Sequence, residues 1–287
     1  MKAGRASTWR RFIRQPLAVA GASVAGAIMA ISLAAPLLPL PDPATTDLAG
    51  RLALPGSDGH LLGTDLLGRD ILSRLVWGTR TSLGVALGAT LAAATAGTLL
   101  GLVAGYARGR TDWLLMRGVD LLMAFPYLLL ALAIVAALGP GLGNALVAIA
   151  IVNVPFFART VRGATLGVAR RGFVDAARVG GRRPVGVLFG HVFPNVLPVI
   201  VVTMTTTLGW MILETAGLSF LGLGAQPPQA DLGSMLGDGR LLLLVKPHLA
   251  LLPAAVIFVL VAGLNLAGDG LRDALDPRMQ FKPRNGG

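Results

Sequence analysis

"LLMAFPYLLLALAIVAALGPGLGNALVAIAIVNVPFFA" runs from Leu121 to Ala158 without one charged side chain. A helix that crosses a bilayer needs about 20 mostly apolar residues, so this stretch is too long for one crossing. Its segment "LGPGLGN", 138 to 144, carries the glycines and proline that end helices and make turns. The run therefore divides into two spans, near 119–138 and 144–158, joined by a short uncharged turn. Four more uncharged stretches flank it: Pro16–Pro41, Thr81–Ala107, Val192–Leu213 and Leu249–Gly268. Hydrophobic residues make up 54% of the chain and charged residues 14%, where a soluble domain carries about 25% charged residues. The fold class is an all-α integral membrane protein, with spans near 17–39, 81–105, 119–138, 144–158, 194–216 and 249–267.

The charges orient these six spans. Lys2, Arg5, Arg10, Arg11 and Arg14 precede the first span with no acid among them, which marks a cytoplasmic flank. The apolar part is longer than the core of a cleavable signal, so the first span reads as a retained anchor. Arg108, Arg110 and Arg117 follow span two, an arginine-rich segment follows span four, and Arg272, Arg278, Lys282 and Arg284 follow span six. Both ends then lie in the cytoplasm, and the regions facing it hold 19 of the 25 basic residues. The outer loops, 41–80 and 219–247, hold six basic residues against seven aspartates. A net charge of +11 is thereby explained by topology, and no basic–aromatic interleaving points to nucleic acid. There is no cysteine, which excludes disulfides and thiolate chemistry.

The polar segment "GFVDAARVGGRRPVGVLFGHVFPNVLP", 172 to 198, separates two apolar spans. Phe173 to Val179 suits a short helix, with Asp175 near its positive end and Ala176 and Ala177 keeping one side small. Gly180 and Gly181 end it, because glycine accepts left-handed angles. Pro184 begins the next helical piece, and Pro194 and Pro198 mark the entry to span five. Such a helix either sits in a groove of another protein or is a solvated loop that only sets topology. The residues alone leave both readings open.

The register Asp175-Ala176-Ala177, Gly181, then His191-Val192-Phe193-Pro194 resembles the coupling loop of binding-protein-dependent ABC importer permeases. That loop reads Glu-Ala-Ala, three residues, Gly, nine residues, Ile-x-Leu-Pro. Here Asp175 stands for the Glu, His191 for the Ile and Phe193 for the Leu. The ending "HVFPN" is similar to the peptide and nickel branch. "LGTDLLGRDILSRLVWGTRTSL" (62–83), "DWLLMRGVDLLMAFPYLLLAL" (112–132), "ETAGLSFLGLGAQPPQADLGSML" (214–236) and "LAGDGLRDALDPR" (266–278) carry the same resemblance, with Leu232-Gly233 where the family has Trp-Gly. The likeness is to the C-type subunit of a dipeptide, oligopeptide or nickel importer. It implies a type I importer permease fold with a cytoplasmic coupling helix between spans four and five. Residues 1–60 would form the N-terminus, first span and start of the outer loop, and 61–287 the core permease, with the coupling loop at 160–195. Implied partners are a second homologous permease subunit, two ATP-binding subunits that carry ATP and Mg, and an extracytoplasmic substrate-binding protein, all at a bacterial inner membrane. Asp175, Ala176, Ala177, Gly181, His191 and Pro194 would couple the chain to the ATPase.

Other polar residues have less definite readings. Glu214, near the outer end of span five, suits contact with a translocated amine or metal, or a structural role such as pairing with Arg240. Asp120 suits a pair with Arg117 on one helix face. Asp65, Arg69, Asp70 and Arg74 are spaced as i, i+4 pairs on a short outer amphipathic helix, either structural or part of a docking surface for the binding protein. Gly84/Gly88 and Gly97/Gly101 are G-x-x-x-G pairs that suit packing within the subunit or against a partner. His60, His191 and His248 do not have metal-ligand spacing. The chain has no G-x-x-x-x-G-K-[ST] loop, so it is expected to be no enzyme and to hold no cofactor of its own. An ion-gradient transporter is the competing class, and it calls for acids at mid-membrane. Reporter fusions at Gly141 and Gly233 should score outside, and those at Gly109 and Arg182 inside. An inside signal at Gly233 would break the six-span assignment.

Overall fold

The computed structural model describes residues 9–57 and 59–275. The basic residues Lys2, Arg5, Arg278, Lys282 and Arg284 lie outside the described residues. The regular structure among them is helical, apart from isolated bridges in the first loop, with turns and irregular backbone over most of 38–70 and 221–231. Helix α1 is Pro16–Leu33 and α2 is Ile71–Ala107. Helices α3, Gly109–Met123, and α4, Tyr127–Leu138, form a bent pair. Helix α5 is Leu142–Val168, α6 is Gly172–Val179 and α7 is Pro184–Phe220. Helix α8, Leu232–Arg240, lies in the second outer loop, and α9 is His248–Leu275. Five of these are long and apolar enough to cross a membrane, and the bent pair supplies a sixth.

Two spans differ from expectation. Helix α2 has 37 residues, about 55 Å at 1.5 Å per residue, and so outreaches the hydrocarbon layer. It starts at Ile71 because Asp70 caps it, accepting the Ser73 amide at 2.7 Å. The stretch expected to form a separate surface helix is thus a turn, 65–70, followed by the first turns of a span. The third span, expected to be continuous over 119–138, is broken. Pro126 has no amide hydrogen and disfavours helical angles at Phe125, and α3 and α4 meet there at 86°. Helix α4 alone has 12 residues, about 18 Å, less than the hydrocarbon thickness.

The bundle is organised around α2 and α5, with α7 against both and α9 between α1 and α7. Lipid gives helices no hydrophobic reason to associate, so close packing of small residues must hold them. Gly97, Gly101 and Gly105 recur every four residues on one face of α2. A Cβ at Gly101 would lie 2.6 Å from the Ala158 carbonyl oxygen and 2.8 Å from the Arg162 nitrogen. At Gly97 it would meet the Val154 carbonyl at 2.8 Å, and at Gly105 Thr165 Cβ at 2.8 Å. The Gly97/Gly101 pair therefore packs inside the subunit. Gly84 has nothing within 4 Å and faces outward. Gly21 of α1 and Gly263 of α9 make a second such approach, each 2.8 Å from the other's carbonyl oxygen once given a Cβ.

Replacing Gly101 by Leu should push α5 away from α2 at a cost of about 3 kcal/mol, the upper range for overpacking. The measurement is the apparent unfolding midpoint in detergent, with Gly84→Leu as the tolerated control. Equal midpoints for the two variants would refute this account of the packing.

Candidate functional site: an inner coupling helix and a membrane cavity

Helix α6 is held by one side only. Val174 is fully buried against Leu102, Val168, Val187 and Val192, with Ala177 and Tyr106 at the edge of that cluster. Asp175, Ala176 and Val179 face away from the bundle, and Val179 is 89% exposed. Asp175 sits in the first turn, where a carboxylate opposes the helix dipole. It pairs with Arg178 at 3.1 Å across an exposed turn, and the Arg178 guanidinium also stands 5.0 Å from the centre of the Tyr106 ring. Contact with Tyr106, and then the Asp175 carboxylate, raises the Arg178 pKa above its ordinary value, so this charge is permanent.

The helix ends as the double glycine suggests, but only one of the two needs its freedom. Gly180 has φ −70°, and Gly181 has φ +77°. The Gly181 amide donates to the Arg178 carbonyl at 3.0 Å and the Arg182 amide to the Ala177 carbonyl at 3.3 Å, the paired closure of a Schellman motif. Pro184 then opens α7 at a position where its missing amide hydrogen costs nothing. His191 and Pro194 fall one helix later than Asp175. His191 lies in a π-helical turn, Leu188–Val192, just before Pro194, and its carbonyl accepts the Asn195 amide group at 2.7 Å. The wider turn absorbs the hydrogen bond that Pro194 cannot donate. Span five is therefore continuous with the coupling segment from Pro184 onward.

The second feature is a cavity of about 490 Å³ bounded by α4, α5, α7 and the broken corner at Phe125. Tyr127, Asn153, Phe156, Thr207, Trp210 and Glu214 line it. Glu214 is 5% exposed. Its Oε2 accepts Asn153 Nδ2 at 2.7 Å, while Oε1 is buried with no hydrogen-bond partner. The suggested Arg240 partner is corrected: Arg240 stacks 4.8 Å from the Phe220 ring centre, in the outer loop. Asn153, Tyr127 and Trp210 carried no sequence signal, because only folding brings three helices to one point.

Two further pairings are corrected. Asp120 does not pair with Arg117, which lies 5.6 Å from the Trp113 ring centre. Asp120 instead meets Arg159 at 2.6 Å, and Asp112 binds Arg162 through both carboxylate oxygens at 2.5 and 2.6 Å. These bonds tie α3 to α5. Asp65, Arg69, Asp70 and Arg74 are all buried rather than arrayed on a surface helix. Asp65 accepts the Leu67 and Arg69 amides at 2.8 and 3.0 Å, Arg69 Nε at 2.7 Å, and Arg74 Nη1. Asp70 meets His60 at 2.7 Å. The expected Asp65–Arg69 pair forms, while Asp70 pairs with His60 instead of Arg74, and the four do not form a surface helix. Asp231, fully buried, does a similar job from the second outer loop: it caps α8 and accepts Ser82 Oγ of α2 at 2.6 Å.

A bundle of candidate membrane spans carrying a short protruding helix and a polar-lined cavity fits a membrane transport subunit. Residues 97–281 match the family described as binding-protein-dependent transport system inner membrane component, and residues 5–55 match the N-terminal TM domain of oligopeptide transport permease C. The chain belongs to this family, and it is a multi-pass permease subunit of an ABC importer. It is 44% identical to the glutathione transport system permease protein GsiD of Pectobacterium atrosepticum, over 95% of this chain and 90% of that protein. It is 45% identical to the dipeptide transport system permease protein DppC of Alkalihalophilus pseudofirmus, over 96% of this chain and 91% of that protein. Among solved structures, an inward-facing form of the MetNI methionine ABC transporter shares the fold, with a TM-score of 0.60 and 21% identity, over 72% of this chain and 98% of that one.

Asp65→Ala should leave Arg69 and Arg74 buried without their anion, a loss of about 3 kcal/mol for a broken buried pair. The expected readout is a lower apparent unfolding midpoint and faster proteolysis of the 41–70 loop. Wild-type values for both would show that the network holds nothing.

Proposed function

We propose that this chain forms half of a translocation path for short peptides and passes the ATPase stroke to that path through α6. The peptide class is taken from the two relatives, one named for dipeptides and one for glutathione, each matched along nearly its whole length. The observation that carries the coupling role is the one-sided attachment of α6. Val174 anchors it, while Asp175, Ala176 and Val179 stand free at the edge of the bundle. A helix with a small, partly apolar outer face suits a cleft on an ATP-binding subunit. Because α7 starts four residues after α6 ends and runs on to Phe220, a push on α6 is delivered to the helix that carries Glu214.

The remaining parts follow from this reading. Two ATP-binding subunits hold ATP and Mg, a second homologous permease subunit completes the path, and an extracytoplasmic binding protein delivers cargo. Both termini face the cytoplasm of a bacterial cell, with α6 on that side. Residues 61–287 act as the core permease, and α1 packs against α9 at its periphery. An ion-gradient drive is not favoured for a chain of this family.

Gly181→Val should strain the left-handed residue that closes α6, and Asp175→Lys should put a positive charge at the positive end of the helix. In the reconstituted complex both variants should lose most peptide uptake while the membrane subunits still assemble. Co-purification of the ATPase separates failed docking from failed transmission. Normal uptake by both variants would reduce this segment to a topology loop.

A further inference from the structure

Every ion pair among the described residues joins acids other than Glu214. This carboxylate is nonetheless the most enclosed acid within the spans, at 5% exposure. Asn153 holds its Oε2, and the Trp210 indole N–H, one turn earlier, also stands toward the carboxylate. The Asn153 amide group spends its two hydrogens on Ile149 O, at 2.9 Å, and Glu214 Oε2, at 2.7 Å. Its orientation is therefore determined, and it presents Glu214 with Oε1 left over. A buried acid within a membrane span that lacks an ion partner is costly, and such groups mark ion or substrate pathways.

The surroundings indicate which cation fits. Trp210 lies one turn before Glu214 on α7, and the Tyr127 ring centre is 6.0 Å from that of Trp210 with the planes tilted by 49°. Aromatic faces attract an organic ammonium through the ring quadrupole, with Trp the strongest. A hydrated metal ion would want more oxygen donors than one carboxylate and one amide provide. The cavity, about 490 Å³, lies within the range of small-molecule sites but is too small for a whole oligopeptide.

We infer that Glu214, held by Asn153 and flanked by Trp210 and Tyr127, binds the free α-ammonium of the peptide in transit. This rests on the reading of the chain as a peptide importer's permease. The ammonium is the one cation that every unmodified peptide shares, whatever its side chains, so one acid can serve cargo of varied sequence. The remainder of the peptide extends out of the cavity mouth. The arrangement also places the recognised group on α7, the same continuous helix that begins beside the coupling segment.

The test uses the complete complex with its binding protein in proteoliposomes. A tripeptide with a photoreactive first side chain is supplied with its α-amine free or acetylated. Loading of the binding protein is measured and matched for the two probes. Wild type should import the free-amine probe and, held by a non-hydrolysable ATP analogue, be labelled on the segments containing Tyr127 and Trp210. The acetylated probe should label these segments about tenfold less, and Glu214→Gln should lower free-amine uptake about tenfold, in keeping with loss of a charge pair and its aromatic support. Equal labelling by the two probes, or unchanged uptake by Glu214→Gln, overturns the site while leaving the peptide reading intact. Loss of the second permease subunit from the Glu214→Gln complex would assign the carboxylate to a basic side chain of that partner and also overturn the site. Absence of any peptide uptake by wild type sinks the cargo reading itself.

Discussion

The rest of the structure depends on the near contact of two backbones. Helix α2 and helix α5 lie so close that a methyl group at Gly101 would sit 2.6 Å from a carbonyl oxygen of the facing helix. In lipid, apolar side chains gain little by leaving the bilayer for one another, so dispersion across a tight glycine seam is the available cohesion. Once α2 and α5 are joined, α7 packs on both, and α9 and α1 follow in order outward. The seam also runs toward the end where Leu102 and Val161 form the floor on which Val174 rests. Helix α6 is thus mounted on the most closely packed helix pair among the described residues.

Polar groups are treated in two opposite ways. At the two ends of the bundle they are neutralised locally. Asp65 gathers two arginines and two amides, Asp231 joins the second outer loop to Ser82, and Asp112 and Asp120 clamp α3 to α5 through Arg162 and Arg159. The bonds of Asp65 and Asp231 satisfy groups that would otherwise be buried without partners, whereas the Asp120–Arg159 pair is exposed. Glu214 is the exception, with one oxygen bonded to Asn153 and the other buried without a hydrogen-bond partner at the edge of a cavity. The contrast sets it apart, because a fold that pairs its other buried acids so thoroughly has kept this one half-free.

The broken third span links the two. Pro126 turns the chain through 86°, which limits α4 to 12 residues, and the corner at Phe125 borders the cavity. The same break turns α3 away from α4, so that its aspartates reach α5. The π-turn before Pro194 is a second local departure, and it lets the coupling segment and span five run as one helix. Both irregularities sit at prolines, where the missing amide hydrogen must be accommodated.

The sequence by itself determined the class, the existence of the six apolar segments, the inner helix from near Phe173 to Val179 and its glycine stop. These are local properties: runs without charge, a helix dipole and a left-handed residue act through neighbours in the chain. It determined the i, i+4 pair of Asp65 with Arg69 but not the other partners of charged residues. Spacing suggested Arg117 for Asp120 and a surface helix for Asp65 to Arg74, and Arg240 stood as a candidate partner for Glu214. Helical spacing describes a residue's neighbours along one helix, whereas the actual partners Arg159 and Asn153 are carried by other helices. The cavity likewise exists only where α4, α5 and α7 converge, and the choice of α5 as the surface facing Gly97, Gly101 and Gly105 was made by tertiary packing. Only the tertiary structure could decide these, because they depend on which helix faces stand within a few ångströms of each other, and no pattern within a single helix encodes that.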